Sequence, residues 1–457
     1  MDLHPWKLEL RLLWRERGAW VALVLLAAAL LYGAWNGLAL ARQQEQLTRG
    51  LREQQTGFED ALRGALARGP LDPREVAGAG AVAFLPPAPL PLLATGQADL
   101  VPGYDVVNLW RLETPAATQA GLENPAHLLA GRFDLAFVLV WLLPLCLLAL
   151  LFDLLAGERE SGTLRMALAQ GVAPARWLAR RALARALPAL VLACGATWLA
   201  GSFGPGDPAR LALAVLVVLA YGLFWTALAA AVNAVARSAA GAAMGLGVAW
   251  VVLVLVLPTL LNVVVEAVHP TPSRPELLAA ARRAAGEAEQ RGGELMRSFY
   301  RDHPELAPAT LQADLAAQLL AVQSEVARAV DPVQRRHEEQ LERQQADVAR
   351  WRFLSPAIAA HEAFTDLAGT GFARLSAYRA QLEGFEDELV DFYAPRIHRG
   401  APVTQDDFLA VPRFTFREEP LAAWALRAGA GALGVVLLAG ALALFTAGRL
   451  RSAACAL

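Results

Sequence analysis

An uncharged run of eighteen residues, Leu135 to Phe152, constrains this chain more than any other feature. A bilayer core of about 30 Å takes roughly 20 apolar residues in a helix, so this run crosses a membrane. It ends abruptly in Glu158-Arg159-Glu160-Ser161-Gly162-Thr163, and a basic stretch follows as far as Arg185. Similar apolar runs recur along the chain, and they place spans at 18–41, 133–155, 186–204, 211–236, 238–267 and 428–448. With 56% hydrophobic and only 18% charged residues, the chain is too apolar for a soluble protein, yet it retains long polar segments. The expected fold class is an all-α polytopic membrane protein. It has six transmembrane helices, an amphipathic amino-terminal interfacial helix at 1–17 and a mainly helical extracytoplasmic domain.

Basic residues choose the orientation. Lys7, Arg11, Arg15 and Arg17 precede the first span, six arginines lie between Ala156 and Arg185, and Arg449 and Arg451 follow the sixth span. The short loop Ser202 to Ala209 has none. By the positive-inside rule both termini and the loop 156–185 are cytoplasmic, and 42–132 and 268–427 face outward. The expected location is the bacterial cytoplasmic (inner) membrane, with the tail 449–457 inside. Of three cysteines, Cys146 and Cys194 fall in spans and Cys455 near the end, so no disulfide staples the outward segments.

On a helical wheel Trp6, Leu10, Leu13 and Trp14 share one side with Leu3, while Lys7, Arg11 and Arg15 lie on the neighbouring side. Such a helix lies at the headgroups, or simply provides a positive flank. Ala39-Leu40-Ala41 imitates a signal-peptidase site. Glu9, Glu16 and the 24 uncharged residues from Gly18 argue instead for a retained anchor. Residues 42–68 continue in helical phase as a stalk, and a short strand is expected at Asp105 to Leu112. In the second outward segment, Asp331-Pro332 is expected to end one helix and start another, and a further helix is expected from about Gly371 to Tyr393. Together these form a helical bundle or hairpin.

Several motifs fail on context. Gly429-x-Gly431-x-x-Gly434 lies in an uncharged span without a preceding strand, so small residues for close helix approach explain it better than dinucleotide binding. A Walker P-loop needs a Gly-Lys pair, and the only lysine is Lys7. His337-Glu338-Glu339 and His361-Glu362 lack the second histidine of a zinc helix. No nucleophile elbow occurs. Catalytic, cofactor and metal residues are therefore expected to be none. Asp134, Asp153, Asn233, Asn262 and Glu266 lie near predicted span ends and are expected to snorkel to the interface.

The turn after the second span carries the most specific signal. Ser161 or Thr163 caps a short helix from Leu164 to Gln170, Gly171 closes it and Pro174 opens the next. A span leading into Glu158, Arg159, Glu160, Ser161, Gly162, Thr163, Leu164 and Arg165 resembles the permease subunits of type-2 ABC transporters. The chain is further similar to a bacterial subgroup with large outward segments after the first and fifth spans. That likeness rests on Ser355-Pro356-Ala357 through Leu367-Ala368-Gly369-Thr370-Gly371, on Phe392-Tyr393-Ala394-Pro395-Arg396-Ile397, and on Asn124-Pro125 before Phe133-Asp134-Leu135-Ala136-Phe137.

The resemblance implies a non-catalytic subunit that pairs with a second copy or a sister permease. ATP and Mg would be held by a separate ABC ATPase subunit abutting the 158–165 loop. Export or extrusion is the implied activity, with membrane lipid and a periplasmic partner as further contacts and no nucleic acid. The competing readings are an ATP-driven mechanotransmitter acting on a periplasmic partner, an ATPase-independent carrier, and a membrane-anchored enzyme.

Overall fold

The computed structural model describes residues 4–96, 103–109, 133–160, 162, 173–203, 207–270, 276, 279, 282–283, 286–287, 301 and 315–455. Six of its helices are long and apolar enough to cross a membrane: Arg17–Leu66, Leu135–Glu160, Pro174–Ser202, Pro208–Val235, Ala239–Val268 and Leu421–Ser452, spans 1 to 6. The protein is an all-α polytopic membrane protein. Among the described residues its sheet is one antiparallel pair, β1 (Ala81–Phe84) and β2 (Tyr104–Val107).

Spans 2, 3 and 4 make the centre of the bundle. Leu135, Leu139, Leu143, Leu147 and Leu151 step by fours along span 2, each fully buried. Lipid tails are as apolar as leucine, so membrane helices associate by close packing, and small residues allow it. Ala182, Ala186, Ala189 and Ala193 supply such a stripe on span 3. Spans 2 and 5 each contain one π-helical turn just before a proline, at Val138–Leu142 before Pro144 and at Val251–Val256 before Pro258. Proline donates no amide hydrogen bond, and in a bilayer the freed carbonyls need other donors. Tyr221 donates to Val140 O at 2.8 Å, and Ser355 Oγ to Leu253 O at 2.6 Å.

Ser355 belongs to a re-entrant hairpin. A descending helix, Leu315–Trp351, packs its last turns on the half of span 5 nearest the polar segments. There the His269 and Asp347 side chains meet at 2.9 Å, and Gln344 donates to His269 O at 2.6 Å. The chain reverses over Arg352–Leu354, level with the middle of span 5, and returns as Pro356–Ala368. Ser355 caps this re-entrant helix by accepting from Ile358 N, Pro356 occupies its first turn, and Gly369 (φ 75°) ends it in the left-handed conformation.

Alanines 357, 359, 360 and 363 with Phe364 and Leu367 bury it among the spans. Gly431 and Gly434 of span 6 make room: a Cβ at 431 would lie 3.3 Å from Ala359 O, and one at 434 would lie inside contact distance of the Phe353 ring. The 355–368 pattern is thus part of the membrane bundle rather than of a separate outward one.

The expected break at Asp331-Pro332 is absent, since Pro332 lies inside the descending helix. Asp331 accepts from Arg335 Nε at 2.7 Å instead of capping a helix. Arg328 and Ala329 nearby are exposed, so water can satisfy the backbone that proline disturbs.

A belt of arginines fastens the re-entrant helix. Arg210 of span 4, 5% exposed, donates to Asp366 O and Leu367 O at 3.0 and 3.3 Å and lies 4.3 Å over the Trp424 ring. This is a cation at a helix C-terminus. Arg427 of span 6 bonds Asp366 at 3.2 Å and Glu419 at 2.6 Å. Arg374 takes Glu418 with two nitrogens and also donates to Gly369 O and Pro86 O.

Beyond the spans lies a folded domain built from both polar segments. Helix Phe372–Arg399 lays down a stripe of Tyr378, Leu382, Phe385, Leu389, Tyr393 and Ile397. It packs with Leu66 at the far end of span 1, with Val76 and Ala83, and with Val403 and Phe408. Tyr378 donates to Ala83 O and Asp105 Oδ2, each at 3.1 Å, which ties the β1–β2 hairpin to this helix.

The same helix carries a pH-sensitive group. Burial pushes the Glu386 carboxyl up to about 7, and Glu383, Asp105 and Asp387 add like-charge repulsion. An acid whose folded value exceeds its unfolded one binds its proton more tightly when folded, so stability is lost as pH rises through that interval. The full chain in detergent is expected to melt a few degrees higher at pH 5.5 than at pH 8, with Glu386→Gln flattening the difference. An unchanged pH slope in that variant would mean that other groups set it.

Candidate functional site

The polar turn after span 2 lies at the end of the bundle that also carries both described termini, and the structure builds it as an elbow. The helix of span 2 loosens at Phe152 to Leu155, then resumes as the elbow helix Ala156–Glu160. Breaking a helix leaves amides and carbonyls without partners. Asn233 of span 4, fully buried, takes them: its Oδ1 accepts from Leu154 N and Leu155 N at 3.1 and 3.3 Å. Its Nδ2 donates to Leu151 O and Ala229 O at 3.0 and 2.9 Å. Asp153 accepts from Gly157 N at 2.7 Å, and a Cβ at 157 would collide with that carboxylate.

Charged residues then fasten the elbow to spans 3, 4 and 5. Arg181 of span 3 donates to Leu154 O at 2.9 Å and to Glu158 at 3.1 Å, and pairs with Glu9 of the amino-terminal helix His4–Leu13 at 3.7 Å. One turn on, Arg185 bonds Glu16 at 2.8 Å. Arg159 donates to Ala234 O in the last turn of span 4 and to Ala236 O just past its end. Glu160 accepts from Ala239 N at 3.3 Å, an anion at the start of span 5. The elbow is therefore bonded to spans 3, 4 and 5, and through Arg181 to the amino-terminal helix. Guanidinium groups suit this work because their planar forks serve several acceptors at once.

Of the sequence-expected loop residues, Glu158, Arg159 and Glu160 sit in the elbow helix. Gly162 follows in a left-handed bend (φ 77°) with its amide on Arg159 O. Ser161, Thr163, Leu164 and Arg165, and with them the expected helix Leu164 to Gln170, lie outside the described residues. In the amino-terminal helix Leu13 is buried, Trp6 and Leu10 are half-buried, and Trp14 is exposed, edge-on to Trp20 at 4.6 Å.

Two of the expected snorkelling residues are corrected. Asn233 is buried in the elbow, and Asp134 is buried where it caps span 2, accepting from Phe137 N and from the Thr95 amide and hydroxyl. Both found partners distant in sequence, so neither needed to reach water. Asn262 and Glu266 are exposed on span 5. By sequence alone Arg181 and Arg185 are positive flanks and Glu9 and Glu16 stand against signal cleavage; the structure pairs Arg181 with Glu9 and Arg185 with Glu16. The available signal was acidic residues in a segment otherwise basic, opposite arginines one turn apart.

Residues 274–417 match the family model described as "Domain of unknown function (DUF3526)", a stretch that holds the descending helix, the re-entrant helix and the main helix of the folded domain. No curated protein and no solved structure matches the chain. The protein is a multi-pass membrane protein whose segment between spans 5 and 6 is similar to DUF3526.

Proposed function

We propose that this chain is the membrane-spanning subunit of an ATP-driven transporter of the type-2 ABC class, with the elbow as the surface on which a separate ATPase subunit acts. The observation that supports the reading is the elbow helix itself: five residues joined to the most buried span and fastened by Asn233, Arg181, Arg159 and Glu160 to spans 3, 4 and 5. A short helix held this rigidly has few ways to absorb a push, so the push goes into the spans. On this reading ATP and Mg sit in the partner chain, both termini and the elbow face the cytoplasm, and two permease copies, or this chain and a sister permease, complete the unit. Substrate export or extrusion is the proposed outcome.

The test is mild-detergent affinity purification from the native cell with mass spectrometry and an ATPase assay. An ATPase subunit is expected to copurify, and Glu158→Ala with Glu160→Ala should cut its activity at least severalfold without loss of the permease from the membrane. Recovery of the intact chain with no ATPase bound would overturn the reading.

A second reading, a mechanotransmitter driven by the same partner, draws on span 1, which runs unbroken for 50 residues, about 75 Å, from the elbow end into the core of the folded domain. Under it, nucleotide changes the distance between paired spin labels at Gly57 and Gln344 in a complex that moves no substrate.

A further inference from the structure

Between span 5 and the hairpin runs a narrow apolar groove. Leu257, Leu261, Val264 and Val268 form one wall, and Trp351 and Ile358 belong to the other. Asp347 stands at its mouth beside His269, and Ser355 at its floor. The Ser355 hydroxyl is already given to Leu253 O, so the floor presents no unsatisfied donor to an apolar guest. The groove is polar at the end near the folded domain and apolar from there to the middle of the bundle.

Its dimensions limit what can enter it. From Leu257 to Val268 the helix rises about 17 Å, close to the roughly 15 Å depth of one leaflet's hydrocarbon. Its volume is about 350 Å³. An α-helix with side chains is 10–12 Å across, so a helix of a second copy can lie over the open groove but does not enter it. A single extended hydrocarbon chain does.

We infer that the groove is a binding site for one acyl chain of a membrane lipid, taken from the leaflet on the side of the folded domain, with the headgroup at the His269–Asp347 pair and the methyl end at Ser355. Hydrocarbon gains nothing by leaving other hydrocarbon, so selectivity comes from shape and from the dispersion contacts of a fitted slot. The site is independent of any ATPase partner.

The full chain is reconstituted in phosphatidylcholine vesicles doped with a phospholipid bearing a mid-chain diazirine, irradiated, digested and mapped. Adducts are expected to concentrate on 257–268 and 351–358. Leu261→Trp, and independently Ile358→Phe from the facing wall, should lower them at least fivefold while adducts on the exposed face of span 1 (Leu25, Leu31) persist and report an intact fold. Equal labelling of span 1 and the groove, or labelling indifferent to both fillings, would reduce the site to ordinary lipid contact. A groove that takes no label while chain-to-chain adducts form there would show that protein covers it, and the inference would fall.

Discussion

Replacing Asn233 with leucine is expected to lower the stability of the bundle by about 2–4 kcal/mol and to free the elbow. Leucine has a similar volume, so packing is kept and the loss is polar. The Leu154 and Leu155 amides and the Leu151 carbonyl would stay buried without the partners that Asn233 now gives them. These groups lie inside packed protein where no water can replace them, and each orphaned one costs about 1 kcal/mol, the lower end of the range for a buried polar group. Thermal unfolding in detergent reads the global effect. Tryptic cleavage after Arg159 reads the local one and should speed at least tenfold, because cleavage follows the population of the opened elbow. Asn233→Ser, which retains a donor and an acceptor, should fall between. Wild-type melting and cleavage in the leucine variant would show that the elbow stands without this side chain.

Arg374→Met should have an effect of similar size, about 3 kcal/mol, at the opposite end of the molecule. The guanidinium is 7% exposed and serves Glu418, Gly369 O and Pro86 O together. It joins the loop after β1, the end of the re-entrant helix and the strand of chain entering span 6. Methionine keeps the stem and removes the fork, leaving a carboxylate and two carbonyls without a donor. Glu418 is 40% exposed and can rehydrate, which places the cost at the lower end of the range for a broken buried pair. The double variant Arg374→Met/Glu418→Gln should recover part of the loss in melting temperature. Strict additivity of the two changes would show that the pair is not coupled.

Much of the architecture was legible because its signals are local. An apolar run of eighteen or more residues needs no partner to be recognised, and the small residues at Gly431 and Gly434 pointed to close helix approach before the neighbour was known. The amphipathic stripe of Phe372–Arg399 was legible for the same reason, although the helix runs past the expected end at Tyr393 to Arg399. Pro332 misled because proline marks a helix start only when the tertiary setting allows a break, and here the exposed face of the descending helix tolerates it.

The candidate site was legible in place and not in construction. Glu158, Arg159 and Glu160 stood out as the polar end of an apolar run. Nothing local marked Asn233, whose contacts in the elbow lie about 80 residues away. A lone asparagine near a span end reads the same whether it snorkels or locks two helices together.

The sequence alone determined the six spans, the polar turn after the second and the helical character of the rest, because hydropathy over one helix length is a property of contiguous residues. Only the tertiary structure decided that Pro356–Ala368 turns back into the bundle. At 13 residues it is too short to cross a bilayer, and its alanine-rich, proline-opened sequence would suit a soluble core equally well. Its depth is set instead by Ser355 on a carbonyl that Pro258 frees, by Phe353 against Gly434 and by Arg210 at its far end, contacts between segments about 80 to 160 residues apart.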